Sequence, residues 1–193
     1  MGLSQITPPD GEPLALNDAK LYLRVDNPDE DALVSALITA ARERAEQFTQ
    51  RQLMTATWLF TTGDNLHRQA TAYDPVTNRI TLPKPPLQSV VSVGFVDSNG
   101  VLNPMDPSEY RVSVGEEPGF ITLNTIPAYD TNRDDAFQIQ FVAGYGDASA
   151  VPQGIVTAMK WMIGEAYGTR TESEAAQNSS IERLLGIYRV WKW

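Results

Sequence analysis

Residues 27–53, NPDEDALVSALITAARERAEQFTQRQL, carry the strongest helical signal in the chain. Acidic residues occupy the first turn, where they favour the positive end of the helix dipole, and Arg51 near the end suits the negative end. Apolar side chains recur at the three-to-four-residue spacing of one helix face, which only Arg44 interrupts. The predicted core-facing set is Leu33, Leu37, Ala40, Ala41, Arg44 and Phe48.

The residues before this helix predict an extended segment and a shorter helix. Residues 1–15 contain three prolines and are predicted to form an N-terminal arm or strand. The following stretch, LNDAKLYLR, predicts a short helix that ends near Arg24. Asn17 or Asp18 is the candidate cap at its start. We therefore expect helical structure from residue 16 to residue 52.

After Met54 the hydrophobic period changes from 3.6 residues to 2, which indicates strands. The clearest case is FQIQFVA at 137–143, where apolar residues alternate with Gln138 and Gln140. The DSNG stretch at 97–100 is a turn signal between two strand-like runs. Residues 54–145 are therefore predicted to form a small antiparallel sheet or sandwich.

The chain then returns to a helical pattern over 152–170. Residues 171–180 contain no large apolar side chain and predict a flexible linker. Ser179 or Ser180 can cap a last short helix beginning at Ile181. The predicted class is α+β: a helical bundle core over 16–170 with an inserted β region, followed by a C-terminal docking tail at 181–193.

Composition and charge exclude several classes of function. The net charge of −9 disfavours proteins that grip nucleic-acid phosphates, although an acidic wall suits DNA that must slide past. There is no cysteine and a single histidine, His67, so zinc sites and Ser-His or Cys-His pairs are not expected. No apolar run has the length of a membrane span, and the N-terminus does not resemble a signal peptide. We predict a protein with no enzymatic activity, cofactor or metal.

Carboxylates are the only abundant groups that could support catalysis or bind a metal. Residues 26–31, DNPDED, are spaced closely enough for a calcium loop but lack the glycine and distal glutamate of an EF-hand. An acidic helix start is the favoured interpretation. The doublets at Glu116–Glu117 and Asp134–Asp135 are interpreted as solvated loop charges, with a carbohydrate-binding or hydrolytic module left as an alternative.

The C-terminal segment IERLLGIYRVWKW is apolar, aromatic and basic, and it has two interpretations. It either folds back onto its own domain or binds a partner. Ordering its thirteen residues costs about 13–26 kcal/mol. Burying its large apolar side chains returns roughly 17–27 kcal/mol, so one tail would dock marginally and a ring of tails firmly. We favour docking and expect that the fold survives deletion of 181–193.

Four stretches, taken in order, resemble the head–tail connector (adaptor) proteins of tailed bacteriophages and gene transfer agents. The stretches are 14–58, 80–93, 141–167 and 184–191. The most specific parts are LRVD at 23–26, directly before the acidic helix start, and LPKPPL at 82–87.

This resemblance implies a structural role in a virion. Proteins of this kind form a ring, commonly of twelve copies, below the portal at the neck of the particle. Double-stranded DNA passes through the ring without sequence-specific binding, and a stopper or tail-completion protein attaches below it. Assembly would take place in the host cytoplasm, with no membrane involved. The stopper or tail-completion protein itself is the alternative within the same particle.

The resemblance also assigns portal binding to the C-terminal segment. The predicted portal-binding residues are Leu184, Leu185, Ile187, Tyr188, Arg189, Trp191 and Trp193.

Overall fold

The computed structural model describes residues 1–63, 72–74, 76–168 and 175–191. These residues form two compact units, each with its own hydrophobic core. A helical unit contains Pro9–Met54 and Tyr145–Trp191, and a β unit contains Met1–Pro8 and Thr55–Gly144. The predicted α+β class is confirmed.

Within the described ranges, the helical unit is built from four α-helices. The longest, α2, contacts each of the other three, and α3 also contacts α1 and α4. Their shared core includes Ile38, Leu53, Ile155 and Met159, all almost completely buried. The bounds are α1 Leu16–Leu23, α2 Asp31–Thr49, α3 Gln153–Gly168 and α4 Ala175–Gly186.

The first helix ends where the sequence predicts, but its start is different. Arg24 adopts the left-handed conformation at φ 59°, and the end of α1 is closed by backbone hydrogen bonds to Leu21 and Lys20. The residue at the N-terminal cap is Ala15, which makes no side-chain capping bond. The prediction of Asn17 or Asp18 as the cap is therefore wrong, because both residues already lie within the helix.

The buried face of α2 is displaced by one residue from the predicted one. Leu33 is 38% exposed, whereas its neighbour Val34 is completely buried. Leu37 and Phe48 only border the core, and Arg44 is exposed. The prediction failed because two charged residues, rather than only apolar ones, occupy the core face. The buried residues are Val34, Ile38, Ala41, Arg42, Ala45, Glu46 and Thr49.

Arg42 and Glu46 form a buried ion pair at the centre of a hydrogen-bonded cluster. The Arg42 Nη1 lies 3.1 Å from Glu46 Oε2, and its Nε donates to Glu12 Oε2 at 2.8 Å. The other Glu46 oxygen accepts from the Gln52 side chain and from the Leu53 backbone N–H. The cluster thus fastens the segment before α1 and the segment after α2 to the same helix.

The last helix begins earlier than predicted. It starts at Ala175, so residues 175–180 of the predicted flexible linker are helical, and Ser179 and Ser180 do not cap it. Ile181 and Leu185 are buried one turn apart, and their packing stabilises a helix that extends upstream through Ala175 and Ala176. Residues 171–174 of the predicted linker lie outside the described residues.

The β unit contains two antiparallel sheets whose inner side chains share one core. In the predicted alternating strand, Phe137, Ile139 and Phe141 are buried, as expected. The five-stranded sheet has the order β1-β2-β9-β5-β6, and the four-stranded sheet has the order β3-β4-β8-β7. The strands are β1 Gly2–Thr7, β2 Ala56–Thr62, β3 Tyr73–Asp74, β4 Arg79–Thr81, β5 Leu87–Val96, β6 Leu102–Pro104, β7 Tyr110–Ser113, β8 Phe120–Leu123 and β9 Phe137–Ala143.

The predicted DSNG turn connects β5 to β6, and Asp97 organises it. The Val101 N–H donates to the Asp97 carboxylate, as does the Asn99 N–H, and these bonds lower the pKa of Asp97 from its usual value of 3.8. Gly100 has φ 79°, a left-handed conformation that suits glycine at this turn position.

Replacing Asp97 with alanine should lower the melting temperature at neutral pH, because the turn loses its ionised acceptor. A lowered pKa contributes stability above the unfolded-state value, and that stability is lost as the pH falls through the folded-state value. The difference between wild type and D97A should therefore shrink as the pH falls below about 4. Thermal unfolding from pH 7 to pH 3 measures it, and a difference that is constant with pH would contradict the assignment.

Removing Arg42 should destabilise the helical unit strongly. R42M leaves the buried Glu46 carboxylate without its cation, which costs about 3–5 kcal/mol in unfolding free energy. R44M is the matched control, because Arg44 is exposed on the same helix and its loss should cost less than about 1 kcal/mol. Urea unfolding compares the two, and equal losses would show that the buried pair has no special role.

Candidate functional site

The candidate site is the C-terminal segment 181–191, which packs on the helical unit. Ile181 and Leu185 of α4 are 2% and 1% exposed and belong to the helical core. Leu184 and Tyr188 are half-buried and pack against the same core. The first half of the segment is therefore an integral part of this unit.

After α4 the backbone is held by hydrogen bonds to the end of α2. The Arg51 Nε donates to the Tyr188 carbonyl oxygen at 2.6 Å, and the Val190 N–H donates to the Thr49 carbonyl at 2.9 Å. The Thr49 carbonyl belongs to the last turn of α2, where carbonyl groups lack partners within the helix. The segment thus provides a hydrogen-bond donor for a carbonyl group at the end of α2, and the same bond fixes the segment in place.

Tyr188 depends on a glycine in the first turn of α3. A Cβ atom at Gly154 would lie 2.5 Å from the Tyr188 hydroxyl oxygen and 2.9 Å from its ring. Only a residue without a side chain leaves room for the phenol at this distance. The missing side chain at Gly154 therefore leaves the space that Tyr188, more than thirty positions later in the sequence, occupies.

Arg189 lies between two aromatic rings. Its guanidinium carbon is 5.2 Å from the centre of the Phe48 ring and 4.6 Å from that of Trp191. Both distances lie within the range of cation–π attraction. Arg189 therefore links Trp191 to α2, and the indole remains 71% exposed.

The structure separates the predicted portal-binding residues into two groups. Leu185 is buried, and Leu184 and Tyr188 are largely used in packing on their own chain. Ile187, at 73% exposed, and Trp191 face solvent, as does Arg189. Trp193 lies outside the described residues. The expectation that the fold is independent of 181–193 is therefore wrong, because Ile181 and Leu185 are core residues.

Residues of the acidic stretch 26–31 have structural roles. Asn27 caps the short 3₁₀ turn Pro28–Glu30, Asp31 pairs with Lys20, and Glu30 accepts a hydrogen bond from Tyr167. Across the parts of the chain that the structure describes, no three His, Cys, Asp or Glu side chains are grouped as in a metal site. His67 lies in the stretch 64–71, which the structure does not describe. The described helices are too short or too polar to cross a membrane.

Comparison with protein families gives a match over the part of the chain that the sequence resemblance emphasises. Residues 14–101 match the family described as phage gp6-like head-tail connector protein. This part of the chain is therefore similar to head–tail connector proteins. The match covers α1, α2 and the strands β2 to β5, and it confirms the resemblance drawn from the sequence.

Solved structures extend the likeness to the whole fold. A chain from the neck of an empty gene transfer agent (GTA) particle, computed with C6 symmetry, superposes with a TM-score of 0.79 at 21% identity. A chain from the virion of a native GTA particle gives 0.78 at 23% identity, and one from the neck of a native particle, computed with C12 symmetry, gives 0.75 at 22%. Each alignment covers 100% of this chain and 97% of the other. No curated protein sequence matches the chain.

Truncating Leu185 should destabilise the protein, whereas truncating Ile187 should not. L185A removes a buried side chain from the helical core and should cost about 2–5 kcal/mol. I187A changes an exposed side chain two residues later, and the expected loss is within about 0.5 kcal/mol. Urea unfolding compares the two variants. If L185A were as stable as wild type, the segment would not belong to its own core.

Proposed function

We propose that this protein is a structural head–tail connector that forms a ring below the portal of a phage-like particle. The helical unit would supply the bundle core of the connector, and the β unit its elaboration. The ring, commonly of twelve copies, would join the portal to a stopper or tail-completion protein and leave a channel for double-stranded DNA. Assembly would precede DNA passage, in the host cytoplasm.

The observation that carries the proposal is the agreement of two comparisons. The family match over 14–101 supports the connector role, and the likeness to GTA neck chains extends over the full length of this chain. The C6 and C12 symmetry of those neck structures supports a ring, since identical copies repeat around one axis.

The charge of the chain is compatible with a DNA channel. A subunit with a net charge of −9 repels phosphates, so DNA would not adhere to a wall built from it. In the proposed ring, DNA would have to slide past this wall without adhering to it. Passage without sequence-specific binding is the behaviour that this charge favours.

Portal attachment would use the exposed half of the C-terminal segment. Ile187 and Trp191 are the large apolar side chains that the segment presents to solvent, and Trp191 is orientated by Arg189. Leu184, Leu185 and Tyr188 would act as the anchor that holds this half on the helical unit. Trp193 would extend the same contact.

The charge of the C-terminal segment indicates which kind of portal surface it would bind. Residues 181–193 carry a net charge of +2 in a chain of −9, so the remainder carries −11. A basic aromatic segment on an acidic body suits an acidic groove on the portal. The contacts of one segment are few, and a ring would multiply them through effective concentration.

Truncating the two exposed side chains should weaken portal attachment without affecting the fold. The double variant I187A/W191A removes the two large apolar side chains that are exposed in this segment. We expect at least a tenfold loss of affinity for the purified portal of the same particle, which corresponds to about 1.4 kcal/mol. The melting temperature should stay close to that of wild type. Pull-down and surface plasmon resonance measure the attachment.

The matched control is L21A, which truncates a 79% exposed leucine elsewhere on the helical unit. It should bind the portal like wild type. If wild type does not bind the portal, or if I187A/W191A binds as tightly as L21A, the proposed attachment is wrong.

A further inference from the structure

The five-stranded sheet of the β unit contains no charged residue. Its strands read GLSQIT, ATWLFTT, LQSVVSVGFV, LNP and FQIQFVA, in a chain of which 20% of the residues are charged. The smaller four-stranded sheet has Asp74, Arg79 and Arg111 in its strands. Strand positions that face the core are apolar because they are buried, which accounts for the lack of charge on the inner side. The outer positions of an antiparallel sheet, however, are commonly polar or charged. A neutral outer face therefore needs another explanation.

Cross-strand register identifies the residues of this outer face. Leu59 pairs with Gln140, and Gln140 with Ser92, while the buried Phe60 and Ile139 pair on the opposite side. Gln138 occupies the next outer row. The outer residues line a shallow depression of about 270 Å³ together with Leu102, which is 51% exposed. We call this surface the neutral face; its residues are Leu59, Ser92, Leu102, Gln138 and Gln140.

The edge strand of the same sheet, β1, is also uncharged. All residues of β1 are exposed, including Leu3 at 37% and Ile6 at 52%. Among the described strands, β1 pairs only with β2, so its outer edge presents main-chain donors and acceptors. Exposed edges are usually protected from other strands by lysine, proline or a covering element, and the six residues of β1 include neither lysine nor proline.

We propose that the neutral face and the β1 edge are the surface on which a second copy of this chain packs. Each copy carries a net charge of −9, so most of its surface repels an identical neighbour. A surface without charges is where two such copies meet without like-charge repulsion. A basic partner would gain from acidic residues at its docking surface, and this sheet has none. The inference rests on the proposed ring, in which each subunit has a copy on either side.

The test adds negative charge to the neutral face without changing its shape. Q138E/Q140E replaces two amides with nearly isosteric carboxylates on the half-buried outer side of β9. The matched control, Q47E/Q153E, makes the same chemical change at two exposed glutamines of α2 and α3. Both variants have the same net charge, so any difference between them reports the location of the charges. Melting temperatures establish that both are folded.

Self-association is measured by sedimentation velocity over a protein concentration series at low and high salt. Wild type should associate, and more strongly at high salt, because salt screens the repulsion between copies. For Q138E/Q140E at low salt, the concentration at half association should rise at least tenfold, and high salt should restore much of the loss. Q47E/Q153E should follow wild type closely.

Two results would overturn the inference: equal association of the two variants, or a wild type that remains monomeric at every concentration and salt. Because the chain contains no cysteine, a polarity-sensitive dye on Q140C gives an independent reading. The dye should respond to rising protein concentration. A response to added portal alone would assign the face to that partner and overturn the inference. If the protein self-associates through this face but does not bind the portal, the inference stands and only the proposed function is contradicted.

Discussion

The buried ion pair between Arg42 and Glu46 is the interaction on which the helical unit depends. A charge is tolerated in a core only when it is paired and its remaining hydrogen-bonding groups are satisfied. Here Glu12 accepts a further hydrogen bond from the Arg42 guanidinium. The Gln52 side chain and the Leu53 N–H donate to the second oxygen of Glu46. The segments on both sides of the first helix pair are therefore positioned by one cluster on α2. Its hydrogen bonds favour one register of these segments, which apolar packing alone would specify less strictly.

The end of the same helix positions the candidate site. Thr49, the last residue of α2, and Arg51, two residues later, bind the backbone of the C-terminal segment at Val190 and Tyr188. Leu185 anchors that segment from the other side. As a result, α4 is packed into the core, and the exposed apolar side chains of the segment lie after it. In the proposed portal attachment this segment would be partly ordered before it binds, which would reduce the entropy lost on attachment.

The two sheets of the β unit differ in their chemistry although they share one core. The four-stranded sheet places Arg79 and Arg111 on either side of Thr122 in one cross-strand row, as exposed sheets often do. The five-stranded sheet has amides, hydroxyls and aliphatic groups at the corresponding outer positions. Core packing cannot account for this difference, since it concerns side chains that face away from the core. The proposed packing of a second copy on this sheet accounts for the difference.

Local pattern and ordered motifs determined much of this protein from the sequence alone. The period of hydrophobicity predicted α2, α3 and β9, because each places apolar residues at the spacing of its own geometry, and turn chemistry predicted the β5–β6 connection. The ordered motifs also predicted the likeness to head–tail connector proteins, which the family match over 14–101 confirms. Tertiary structure alone decided which face of α2 is buried, since that depends on Glu12, thirty residues from Arg42. It also decided that Leu185 is core while Ile187 is exposed, because α4 packs against α2, more than a hundred residues earlier, and against the nearby α3. Periodicity reports which side chains can share a face, and only the assembled neighbours determine which face is covered.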